Sequence, residues 1–92
     1  MPQMDNLYKL TILKNNLQIL NKANDKYLDL LLEQAESLMK REGIQNDDTM
    51  DYHMAHIDYA AFLFRKRANL EAPFPAHLRW ELNNLLFSQK AR

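Results

Sequence analysis

Two histidines at positions 53 and 56, with Asp51 and Asp58 close by, are the residues of this chain best suited to chemistry. A histidine pair at i, i+3 shares one face of a helix, and imidazole with carboxylate can ligate a divalent metal. A closed structural zinc site wants four ligands, however, and the His-Glu-x-x-His signature is absent. The pair therefore reads as polar histidines on a helix flank, and neither a metal nor any other cofactor is assigned. Glu33 with Glu36, or Asp47 with Asp48, are carboxylate pairs of the kind acid–base catalysis uses. They fall on solvent faces or at a helix start, with no pocket implied, so no catalytic residue is assigned and the chain does not read as an enzyme. Tyr8, Tyr27, Tyr52, Tyr59 and Trp80 could stack on bases, but their helical spacing favours packing in a core or an interface.

What must position these residues is a small, helical chain. Its 92 residues make one domain, 1–92, and are 47% hydrophobic, enough for a core. A domain of this size buries only about 60–65% of the surface its unfolded chain exposes, so association would help it. One glycine and three prolines leave little punctuation for strands and hairpins, which points to an all-α fold. Twelve Lys and Arg balance twelve Asp and Glu, so no net positive field is available to hold a phosphate backbone by counterion release. There is no cysteine, hence no thiolate chemistry and no disulfide. The start, Met1 to Leu13, carries Asp5 and Lys9 among apolar residues and forms neither a signal-peptide core nor a membrane span. A soluble, intracellular protein is expected.

The hydrophobic pattern divides into four segments. Met4, Leu7, Tyr8, Leu10, Ile12 and Leu13 predict a short amphipathic helix over about residues 4–15. Leu28, Leu31, Leu32, Ala35, Leu38 and Met39 form one stripe of a second helix over about 26–42, with Asn24 or Asp25 as cap and Gly43 as terminator. A third helix opens among Asp47, Asp48 and Asp51 and ends in Arg65-Lys66-Arg67, charges that complement its dipole at both ends. Met50, Met54, Ile57, Ala61 and Phe64 make one of its apolar stripes, and Tyr52, Ala55, Tyr59, Phe62 and Leu63 a second, as expected of a central helix. After Pro73 and Pro75 a fourth helix carries Leu78, Leu82, Leu85 and Leu86, with Trp80 on its flank. The expected fold is a small four-helix bundle with a short N-terminal helix, two longer central helices and a C-terminal helical arm over 75–92. That arm, behind its proline break and short of apolar anchors, is expected to be the least stable element.

Three stretches then carry a resemblance: Asp25-Lys26-Tyr27-Leu28-Asp29-Leu30-Leu31-Leu32-Glu33-Gln34-Ala35-Glu36, Ile57-Asp58-Tyr59-Ala60-Ala61-Phe62-Leu63-Phe64-Arg65-Lys66-Arg67, and Pro75-x-x-Leu78-Arg79-Trp80-x-Leu82-Asn83-Asn84-Leu85. In this order, from about Met4 to Gln89, the chain resembles the head-tail connector proteins of tailed double-stranded DNA phages, also called head-completion or DNA-packaging adaptor proteins. The resemblance implies a virion structural protein, made in the host cytoplasm or encoded by a prophage. It implies a dodecameric ring of copies of the chain that docks under the portal protein after DNA packaging. The ring would meet a tail-side stopper or completion protein and let packaged DNA pass without sequence-specific binding. The alternative is a generic small helical protein–protein interaction module, such as a phage- or plasmid-encoded regulator. A helix-turn-helix DNA binder would need a basic recognition face, and here the basic triplet sits at a helix end.

For protein contacts, helical geometry selects Tyr27 and Leu30 on the flank of helix two and the Arg79-Trp80 shoulder of helix four. It adds Phe62, which falls beside Asp58 and Arg65 on the most polar side of helix three. Aromatic and arginine anchors dominate interfaces of this kind.

Overall fold

The computed structural model describes residues 5–90, which form α1 (Asn6–Leu17), α2 (Asp25–Arg41), α3 (Met50–Ala68) and α4 (Ala76–Lys90), with no strand among them. The expected all-α, four-helix architecture is what the chain adopts. Met4 of the first stripe and Ala91 of the tail lie outside the described residues. No described helix is long and apolar enough to cross a membrane.

Local chemistry sets the boundaries. Asp5 caps α1, its carboxylate accepting from the Tyr8 amide at 2.8 Å. Thr49 caps α3 by accepting from the Tyr52 amide at 3.2 Å, and Asp47 in turn accepts from the Thr49 hydroxyl at 2.6 Å. Asn24 precedes α2 without a side-chain cap bond, and a Lys14–Asp25 ion pair of 2.8 Å ties the end of α1 to the start of α2 instead. At the other end of α2, Gly43 takes φ +93°, its amide donates to the Lys40 carbonyl, and the Ile44 amide donates to that of Met39. This is the paired bond pattern of a glycine-terminated helix, and it folds Ile44 back over Met39, both buried.

α3 is the axis of the molecule: α1, α2 and α4 each pack against it, and α1 also packs on α2. Burial accordingly runs round most of its circumference, through Tyr52, Ala55, Ile57, Tyr59, Ala60, Ala61 and Phe62. Two expectations need correction here. Phe62 does not offer itself to a partner: it is only 7% exposed, because Phe74 from the connector packs on it at 5.0 Å between ring centroids and Tyr59 flanks both rings. Met50 and Met54, expected inside, are exposed: they lie on the one side of the first turns that is left open, Met54 on the wall of a groove beside α4, while Tyr52, His53, Ala55 and His56 of the same turns are buried. The C-terminal helical arm expected after Pro75 is α4, and its stripe of Leu78, Leu82 and Leu85 closes over α3. Two polar ties add to this docking. Arg79 bonds Glu42 at 2.7 Å, and the Gln89 side chain exchanges bonds with the Gln45 backbone at 2.9 and 2.6 Å.

The phase of α1 also departs from the pattern. Leu10 and Leu13 face the core as expected, but Leu7 and Tyr8 are exposed while Lys9 is 3% exposed. The reason lies on α3. Lys9 Nζ stands 2.7 Å from Nδ1 of His56, itself 1% exposed, and His56 Nε2 stands 2.6 Å from the Leu32 carbonyl. A carbonyl only accepts, so Nε2 carries the proton and donates, and Nδ1 is left to accept from the lysine. His53 is buried too, with Nε2 2.8 Å from Asp48 Oδ1, so neither histidine is the solvent-facing flank residue that the pattern suggests.

This relay makes stability depend on pH. Burial pushes His56 below the usual imidazole range, with nearby Lys9 adding to the effect and the Leu32 bond opposing it. The unfolded chain therefore binds the proton first as pH falls through about 6.5. The contribution of His56 is expected to hold above that value and to decline below it, by at most about 1.4 kcal/mol per pH unit for one proton. The Glu81 carboxyl, raised to about 8, acts in the opposite sense and loses stability as pH rises from about 4.5 towards 8. Urea melts at pH 7.5, 6.5 and 5.5 measure the slope, and a chain in which both Lys9 and His56 are replaced by apolar residues should lose the His56 component.

Candidate functional site between the last two helices

α3 and α4 run antiparallel, which brings the early turns of α3 beside the late turns of α4 and leaves a groove of about 200 Å³ along their seam. Asp47, Thr49, Asp51 and Met54 line one wall, and His77, Trp80, Glu81, Asn84, Leu85 and Ser88 the other. Sequence spacing explains α4's contribution. His77 and Glu81 are one turn apart, while Leu78, Leu82 and Leu85 hold the neighbouring stripe on α3. Trp80, 62% exposed, stacks on the His77 ring at 6.0 Å between centroids and 18° between planes.

At the proline end of the groove, α3 adds Asp58. One potential ligand atom each from Asp58, His77 and Glu81 lies within 4.8 Å of the others, and His77 Nε2 is 3.6 Å from Glu81 Oε1. The glutamate side chain is 14% exposed and its Oε1 meets no hydrogen-bond partner among the described residues. Burial pushes its carboxyl up to about 8, helped by a hydrogen bond with Asp58 and by the charges of Asp58 and Asp51. Among the described residues no lysine or arginine lines the main groove, and Asp47 and Asp51 make its charge negative; Arg65 borders the adjoining hollow beside Asp58. Compared with known protein families, curated proteins and solved structures, the chain matches none. Its function has to be read from its surfaces.

Of the contact residues selected from the sequence, only Trp80 lies in this groove. Arg79 turns away, to its Glu42 bond and to the face of Phe74, 4.7 Å from that ring's centroid. Tyr27 and Leu30 belong to another part of the surface. Tyr27 is half-buried beside Phe64, with the Arg67 guanidinium 4.8 Å above its ring, and Leu30 is exposed. Phe62 is inside. The five residues thus divide among three parts of the surface and the core. Sequence reasoning missed Asp58, His77 and Glu81 as a group. The one-turn spacing of His77 and Glu81 was visible, but only the antiparallel docking of α4 brings Asp58 to them.

Proposed function

We propose that this chain is a structural assembly subunit that acts through contacts with other copies and with neighbouring proteins, and that it serves as a head-tail connector of a tailed phage. The observation that carries the assembly reading is the separation of two dissimilar surfaces. One is the acidic α3–α4 groove, with Met54 and Trp80 exposed on its walls. The other is the basic end of α3, where Arg65, Lys66 and Arg67 are exposed and Arg67 lies over Tyr27, with Leu30 exposed nearby on α2. A heterologous contact joins two different surfaces of identical subunits and generates a ring when the rotation closes. Opposite charge on those surfaces favours that pairing over like against like. The resemblance of the helix-two, helix-three and helix-four stretches to connector proteins supplies the specific reading: a ring under the portal, receiving a tail-side stopper, with DNA passing through.

Dilute protein is expected to be monomeric or weakly associated, and to form rings at high concentration or on the portal, because binding to a partner raises the bound fraction by mass action. Light scattering across concentration, with and without portal rings, measures this. Arg67→Glu should weaken association and salt should screen it. A tight dimer insensitive to concentration, salt and portal would contradict the ring reading.

A further inference from the structure

We infer that Asp58, His77 and Glu81 form a binding site for one divalent transition-metal ion, with zinc the best fit, which fastens α4 to α3. Two independent observations carry this. The first is convergence: three donor atoms from two helices gather within 4.8 Å of one another, and one pair, His77 Nε2 and Glu81 Oε1, is already 3.6 Å apart. Ligands bonded to zinc at about 2.1 Å in tetrahedral array sit roughly 3.4 Å from each other, so the site needs only a small contraction. The second is an orphan acceptor. Among the described residues Glu81 Oε1 is shut off from solvent without a hydrogen bond of its own, and the carboxyl is crowded against that of Asp58, an arrangement that a cation completes.

The donor set selects the class of ion. One imidazole with two carboxylates suits zinc and its first-row neighbours, whereas magnesium and calcium prefer oxygen donors alone. Geometry allows entry. His77 is 76% exposed in its side chain and forms the outer wall, while Trp80 stacked on its ring holds the imidazole in place. Three protein ligands leave a fourth position on the solvent side for water or another donor. Because Asp58 belongs to α3 and the other two to α4, the ion would bridge that helix pair directly.

Full-length protein titrated with zinc chloride, followed by calorimetry and by backbone amide shifts, tests the site. One ion per chain is expected, with shifts centred on residues around 58, 77 and 81, a raised melting temperature and a much weaker response to magnesium. His77→Ala removes an exposed side chain and leaves the core intact, so it should fold normally and lose about tenfold or more in zinc affinity. Asp58→Asn should weaken binding in the same direction. No binding at millimolar zinc overturns the inference, as does zinc bound equally well by wild type and His77→Ala, which would mark it as adventitious. These readouts do not depend on ring formation, so they succeed or fail separately from the assembly reading.

Discussion

Replacing His56 by leucine is expected to destabilise the fold by about 3–5 kcal/mol, a large part of the roughly 5–15 kcal/mol that holds a domain together. The substitution removes the acceptor of Lys9 Nζ and the donor to the Leu32 carbonyl in one step, and leaves the amine buried among apolar neighbours. Burial already pushes Lys9 below the usual amine range, against the pull of Glu36 and Asp48, so the site tolerates a charge poorly even when it is paired. Lys9→Met should cost less, about 1–3 kcal/mol, because it strands only a neutral nitrogen, and the methionine chain follows the lysine stem. With both replaced, stability should return to within about 2 kcal/mol of wild type, since an apolar pair of similar volume often does as well as a buried polar one. Urea melts of the four proteins complete the cycle. Additive losses would show that the two side chains do not act as a pair.

Leu82→Ala is expected to cost about 2–5 kcal/mol and to act locally. Leu82 is 1% exposed at the middle of the α4 stripe, between Leu78 and Leu85, and its removal leaves a cavity against α3. α4 leans on α3 with little support from α1 or α2, so the loss should appear first as undocking of that helix. Hydrogen exchange should place the amides of residues 78–90 in the fast class while the centre of α2 stays protected. Uniform acceleration across all four helices would show instead that α4 is part of a single cooperative unit. This substitution tests the role of α4 more cleanly than deleting residues 75–92, which would also strip the cover from α3.

The elements were legible in the sequence because their signals are local. The leucine stripe of α2, the single glycine behind it, the charges at both ends of α3 and the proline before α4 all act within a few residues of where they stand. The errors share one cause, contact between residues far apart in the chain. Lys9 looks like a solvent residue until His56, 47 positions away, is placed beside it, and that pairing turns α1 so that Leu7 and Tyr8 face out. Phe62 looks exposed on a helical wheel because its cover, Phe74, arrives from a connector rather than a helix. Asp58 looks like one more surface acid until α4 folds back against it. Periodicity records which face of a helix is apolar, and it is silent about a polar group whose partner is supplied by the fold.

The short connector of residues 69–75 carries one more consequence. Phe74 sits between two prolines, seated against Tyr59 and Phe62 and covered by Arg79, so the turn from α3 into α4 is latched by one aromatic side chain. If that latch opens, α4 of one copy can lie on α3 of another and recover the contacts of Leu78, Leu82 and Leu85 unchanged, which is the defining economy of a domain swap. Substitutions that unseat Phe74 are therefore expected to favour exchange of the last helix between copies, read as a dimer at high concentration.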